Sequence, residues 1–138
     1  QLIAQAKKGN DKSAWSRVGE IFFEIGIFKE ASLAYEASLK IDEGQIKERL
    51  MFALALQNSG QTYRAAEEFK KIITLSEGHF FAHYYLGKLL KHQIYDEKAA
   101  QYYLGKAQEV LNKSQHLFPI QEFALLDQDL KKELLVPN

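Results

Sequence analysis

The chain contains no cysteine and only two prolines, Pro119 and Pro137. The first absence excludes disulfides and thiolate metal sites. It fits a reducing compartment, so the expected location is the cytoplasm. The second leaves residues 1–118 without the residue that most strongly breaks helices. Charge of one sign is also missing, because 18 Lys and Arg face 18 Asp and Glu. Nucleic acid and anionic membranes are usually bound through surplus Lys and Arg, so neither is an expected partner. No apolar run approaches the roughly 20 residues that span a bilayer, and no membrane insertion is expected. Sustained period-two alternation between hairpin turns does not occur either. The chain opens on Gln1 rather than Met, and we expect it to be a segment of a longer protein.

What remains is 138 residues, 46% hydrophobic and 26% charged, the size and balance of one globular domain. Ala, Leu, Glu, Lys and Gln are frequent, which favours helices. The stretch Gly19–Ser38, "GEIFFEIGIFKEASLAYEAS", sets small residues among large apolar ones. Together with Trp15 the order is Trp15, Val18, Gly19, Phe22, Gly26, Ala31, Tyr35, Ser38. Adding 34 gives Arg49, Phe52, Ala53, Leu56, Gly60, Ala65, Phe69, Ile72. Adding 34 again gives His83, Leu86, Gly87, Leu90, Ile94, Ala99, Tyr103, Lys106. Small residues fall on small and large on large through most of the set. The third copy departs: Ile94 replaces the glycine and Lys106 falls on a buried place. One inserted residue near His92–Lys98 restores the fit, with Ala100, Leu104 and Ala107 in the small, large and small roles.

This pattern resembles the tetratricopeptide repeat, a helix–turn–helix unit of 34 residues. The resemblance covers about residues 12–113. It implies an all-α fold, a right-handed superhelical stack of antiparallel helix pairs. The expected divisions are a remnant of a preceding helix at 1–11, repeats at 12–45, 46–79 and 80–114, and a capping helix and tail at 115–138. Spacing argues the same locally. On a helix from about 12 to 25, Trp15, Val18, Gly19 and Phe22 share one face. A second helix from about 28 to 41 presents Ala31, Tyr35 and Ser38. Gly19 and Ala31 let the backbones approach, and Gly26 supplies the left-handed turn between them. Residues 2–8 read as the end of an earlier helix closed by Gly9-Asn10. Pro119 suits a first helical position. The helix that follows groups Ile120, Phe123, Leu126, Leu130 and Leu134 on one side, with Gln121, Glu122, Gln128, Lys131 and Lys132 on the other.

Chemistry has few footholds. Glu20 and Glu24 lie one turn apart but sit in no catalytic motif, and we read them as solvated. His79 and His83 have a chelating spacing, yet Phe80, Phe81 and Ala82 lie between them, without the glutamate of the metalloprotease pattern. Asp127 and Asp129 are two apart and do not face each other on a helix. No phosphate-binding loop forms around Gly9, Gly44, Gly78 or Gly105. The expectation is a protein that is not an enzyme and uses no cofactor and no metal.

The resemblance implies that the first helices line a concave groove. The residues opposite their packed faces are Arg17, Glu20 and Glu24, then Lys47, Leu50, Met51, Leu54 and Asn58, then Phe81, Tyr84, Tyr85, Lys88 and His92. Apolar side chains on a face that should be wet mark an interaction site. Two other outcomes stay open: Leu50 and Tyr84 cover one another, or the terminal helix folds back into the groove. The expected partner is a peptide or helix of another protein. Relatives that clamp chaperone tails do so with Lys, Arg and Asn. Ser16, Glu20, Met51, Phe81 and Tyr85 hold the matching places here, which argues against that activity. Lys88, Lys91 and His92 favour an acidic element nearby. The alternatives are a structural section of a longer solenoid that stacks or self-associates, and a substrate-recruiting arm of an enzyme whose catalytic domain lies elsewhere.

Overall fold

All regular structure among the described residues is helical. The computed structural model describes residues 2–135; Gln1 and the tail 136–138, with Pro137, lie outside the described residues. In chain order the helices are α1 (Leu2–Gly9), α2 (Lys12–Glu24), α3 (Phe28–Ile41), α4 (Ile46–Asn58), α5 (Thr62–Leu75), α6 (Phe80–Leu89), α7 (Glu97–Lys113) and α8 (Ile120–Leu134). A π-helical turn spans Leu90–Ile94 and a 3-10 turn Gln115–Leu117. None of these helices is long and apolar enough to cross a membrane. Close contacts divide the chain into two compact units, Gln1–Leu75 and Ser76–Asn138.

In the first unit, α2 pairs with α3 and α4 with α5. Asp11 starts α2 by accepting hydrogen bonds from the amides of Ser13 at 2.9 Å and Ala14 at 3.3 Å. Gly26 ends it with φ +82°. There the Ile27 amide bonds the Phe22 carbonyl and the Gly26 amide bonds that of Phe23, the paired bonds of a Schellman cap. The same cap closes α4: Gly60 has φ +85° and the Gln61 amide bonds the Leu56 carbonyl. Between α2 and α3 the contact is close enough to require glycine. A Cβ on Gly19 would lie 2.9 Å from the Tyr35 ring. In the next pair Ala53, Ala65 and Phe69 are fully buried at the equivalent places.

Several enclosed polar groups in this unit are matched. The Ser38 hydroxyl lies 2.9 Å from the Lys12 carbonyl and from the Ser16 hydroxyl. Arg49 stands where the first repeat has Trp15. Its guanidinium donates to Glu68 at 2.6 Å and to the Glu43 carbonyl at 2.8 Å. Both partners of the Arg49–Glu68 pair are buried. Breaking such a pair by removing one side typically costs 3–5 kcal/mol, because the other charge is left uncompensated.

The second unit pairs α6 with α7. Here the close contact is Gly87 beneath Leu104, where a Cβ would meet the leucine at 2.6 Å. A strict 34-residue repeat would have set Tyr103 in that place. The extra residue is housed in the π-helical turn, which winds wider than an α-helix, and Leu104 swings in. Ala100, Leu104, Ala107 and Leu111 are fully buried, as the one-residue insertion requires. Tyr95 follows with φ +64°, taking the left-handed place of Gly26 and Gly60. The Asp96 amide bonds the Leu90 carbonyl at 2.9 Å, and the Asp96 side chain then caps α7 through the Ala99 amide.

Phe118 leads into α8, edge-on to Phe80 at 5.7 Å and to Phe81 at 6.4 Å. Pro119 is the N-cap, so the helix begins one position later than expected. Leu130 is fully buried, Phe123 and Leu126 are half-buried, and Ile120 is 88% exposed. The expected apolar stripe is therefore corrected at Ile120. Burial falls toward the start of α8, so the helix meets its unit through its C-terminal half.

Two substitutions test the close contacts and the turns, read by thermal denaturation. Gly87→Ala should destabilise by about 1–3 kcal/mol, because the methyl group must displace Leu104. Tyr95→Gly should stabilise by about 0.5–1 kcal/mol, since relief of the left-handed tyrosine outweighs the entropy glycine adds to the unfolded chain. Opposite signs would contradict the packing described.

Candidate helix-face site on alpha2 and alpha4

On α4, Arg49, Phe52, Ala53, Ala55 and Leu56 are buried. The other side of the helix carries Lys47, Leu50, Met51, Leu54 and Asn58 at i, i+3, i+4, i+7 and i+11. Leu50, Met51 and Leu54 are half-buried, while Lys47 and Asn58 are exposed. The helix is thus apolar nearly all round, and one apolar side faces solvent. Arg17 and Glu24 are exposed on α2, and Glu20 is half-buried. Arg17 and Glu20 form an exposed pair at 3.5 Å, a kind of contact that contributes little.

Tyr35 packs against the buried side of α2. Its ring packs on Gly19, and its hydroxyl is enclosed without a hydrogen-bond partner among the described residues. Burial, followed by the charges of Glu20, Glu48 and Glu24, pushes the phenol well above the usual tyrosine pKa.

The remaining expected site residues lie in the second unit, and α8 changes their roles. The Tyr84 hydroxyl donates to Asp129, and Lys88 reaches the same carboxylate at 3.1 Å. Lys91 donates to the Glu133 carbonyl oxygen, and His92 lies 2.5 Å from the Glu133 carboxylate. Tyr84 is only 8% exposed. Tyr84, Lys88 and His92 thus meet the terminal helix, the fold-back outcome left open above; Tyr84 is enclosed, Lys88 is half-buried and His92 stays exposed. Asp129 and Glu133, one turn apart on α8, match groups one turn apart on the facing helix. The acidic element favoured by Lys88, Lys91 and His92 is a helix of the same chain. Phe81 and Tyr85 stack at 5.8 Å and stay half-buried. His92 belongs to the π-helical turn rather than to α6.

Burial opposes the charge of Asp129, but hydrogen bonds from Tyr84 and Lys88 hold its pKa below the ordinary carboxylate value. The same burial and the bond to Asp129 push Tyr84 up to about 12.

His79 and His83 serve the backbone. His79 caps α6 by accepting from the Ala82 amide, and His83 Nε2 lies 2.7 Å from the Glu77 carbonyl. Among the described residues no three metal-ligating groups converge. A cleft of about 550 Å³ beside α5 is lined by Arg49, Phe52 and Arg64. Its charges pair off as Arg64 with Glu36 and Arg49 with Glu68, which leaves no surplus of one sign.

No known family matches the sequence and no curated protein does. Solved structures do. A double mutant of MamA RS-1 is 23% identical with a TM-score of 0.75, over 83% of this chain and 64% of that one. YrrB, described as a tetratricopeptide-repeat protein with an unusual peptide-binding site, is 20% identical with a TM-score of 0.73, over 88% and 57%. The TPR2B domain of yeast Sti1, in a complex with pHsp70, is 15% identical with a TM-score of 0.74, over 88% and 97%. This chain spans less than two thirds of the first two proteins. The likeness shows a tetratricopeptide-repeat fold.

Docking of α8 should depend on Asp129. Its folded pKa is lowered, so its contribution is complete above about pH 4 and is lost as pH falls through the lower folded value. Asp129→Asn should loosen α8 at any pH. At pH 7 we expect hydrogen exchange of α8 amides to accelerate about tenfold, consistent with a charged hydrogen bond discounted for partial exposure. Unchanged protection would contradict the docking role.

Proposed function

We propose that this tetratricopeptide-fold chain is a non-catalytic module that binds a peptide or short helix of another protein on the face of α2 and α4. One observation carries the reading: α4 is apolar on both sides, yet Leu50, Met51 and Leu54 are only half covered. A helix apolar all round is normally enclosed. Leu50, Met51 and Leu54 would receive apolar side chains of the partner, Met51 adapting its shape to them. Asn58 offers both a donor and an acceptor to partner backbone. Lys47, Arg17, Glu20 and Glu24 border the strip and set the charge pattern it accepts. The peptide-binding site named for YrrB and the pHsp70 complex of the Sti1 domain support the reading by analogy of fold. Within the second unit, taken by itself, Phe81 and Tyr85 would offer contact residues, with Tyr84, Lys88 and His92 already engaged by α8.

A second reading, a section of a stacked array, has its own observation. Leu2, Ile3, Val18, Ile21 and Phe22 line a small apolar cleft of about 170 Å³ between α1 and α2. Under that reading Ile21→Ser would abolish concentration-dependent self-association in sedimentation, whereas a wild-type chain monomeric at high concentration would exclude self-stacking there.

The groove reading is tested with peptides selected on the protein from a random display library. Leu50→Ala with Leu54→Ala should weaken the selected peptides at least tenfold while the chain stays folded by circular dichroism. Unchanged affinity in the folded double variant would place binding elsewhere.

A further inference from the structure

The second unit fastens α8 with charge as well as packing. Tyr84 and Lys88 on α6 both donate to the Asp129 carboxylate, Lys88 at 3.1 Å. Lys91 and His92 on the π-helical turn meet the carbonyl and the carboxylate of Glu133. The order is the same along both stretches, so donors from successive turns face acids one turn apart. Leu130, beside Asp129 in the chain, is fully buried, and Glu133 is enclosed at 7% exposure.

Covering the end of a unit does not require this. A capping helix needs an apolar side turned inward, and apolar residues in place of an enclosed ion pair are often neutral or stabilising. The acids instead select which helix lies there. Apolar packing holds α8 thinly: among its large apolar residues only Leu130 is fully buried, while Leu125 is 67% and Ile120 88% exposed. Its backbone packs on α7, and the α6 face is reached by long side chains. Terminal elements with few buried apolar contacts open at low free energy. Even with α8 in place, Lys88 and Lys91 are half-buried and His92 is exposed.

We propose that the face formed by Tyr84, Lys88, Lys91 and His92 binds an acidic helix of another protein, and that α8 occupies it as an internal stand-in until displaced. The partner's chemistry is the one α8 displays. It carries Asp or Glu one turn apart with a leucine beside the first acid, the spacing of Asp129, Leu130 and Glu133. Release of Asp129 frees Lys88 and the Tyr84 hydroxyl for the first acid, and release of Glu133 frees Lys91 and His92 for the second. Charge complementarity therefore sets both the sign and the register of the partner. A second copy is the poorer occupant, because exchanging one α8 for another adds no contact. A foreign helix adds contacts with Phe81 and Tyr85, which stay half-buried on the same helix. The site lies within the second unit and does not depend on the α2–α4 reading.

The probe is a fluorescent peptide with the sequence of residues 118–135, titrated into the full chain and followed by anisotropy. The wild-type chain should bind it weakly, because the tethered α8 competes at high effective concentration. The full chain with Asp129→Asn and Glu133→Gln, checked for fold by circular dichroism, should bind it about tenfold more tightly, since the open face is then more populated. The same peptide with Asp129→Asn and Glu133→Gln should bind that loosened chain about tenfold more weakly than the acidic peptide. Adding Lys88→Gln and Lys91→Gln to the loosened chain should weaken the acidic peptide by a similar factor, and the two peptides decide the matter even if that variant unfolds. Adding Leu50→Ala with Leu54→Ala should change nothing. Equal affinity of the wild-type and loosened chains, no saturable binding, or equal affinity of the two peptides would each overturn the site. Binding lost with Leu50→Ala and Leu54→Ala would place the peptide on α4 and overturn it too. A wild-type dimer in sedimentation that the loosened chain does not form would make a second copy's α8 the occupant and overturn the assignment to another protein.

Discussion

Paired helices in this protein approach until a large side chain rests on a residue with little or no side chain of its own. Tyr35 lies on Gly19, and Leu104 lies on Gly87. Most else in each unit is arranged around that distance. It encloses the alanines at 31 and 65 in the first unit and at 100 in the second. It also decides where chain can be added. The inserted residue near Ile94 is not taken up between α6 and α7, where it would move Leu104 off Gly87. It is wound into the π-helical turn Leu90–Ile94, and the strain emerges at Tyr95, in a left-handed place where the other two turns have glycine. Packing in the unit is preserved and a surface turn absorbs the strain.

Tyr35 rests on Gly19 with its hydroxyl enclosed. The two units treat their candidate binding surfaces differently. In the first, the apolar side of α4 is half open and its border is charged. In the second, α8 supplies the acids that Tyr84, Lys88 and His92 face.

Helix pairs, turn glycines and the one-residue insertion were legible in the sequence because each rests on spacing within about one repeat. Gly26 and Gly60 share a register, and Ala100, Leu104 and Ala107 shift together. Contacts across longer stretches were not legible. Tyr84 and Asp129 are separated by 45 residues, and no periodicity joins them. Ile120 fits the stripe of α8 by spacing, yet burial depends on where α8 meets its unit, which spacing does not set. The Arg49–Glu68 pair was half visible. A charge in the register of Trp15 demands a buried partner, and Glu68, just before the core residue Phe69, was available to supply it. The buried Tyr35 hydroxyl left no trace, since tyrosine and phenylalanine serve the repeat pattern alike.

The central claim, that the open side of α4 receives a partner peptide, is tested most directly by site-specific photo-crosslinking. p-Benzoylphenylalanine is placed at Leu54 in one protein and at Tyr63, an exposed residue of α5, in another, and each is irradiated with a library-selected peptide. The account predicts a crosslink from position 54 and none from position 63. A crosslink from 63 alone, or equal yields from both, would contradict it.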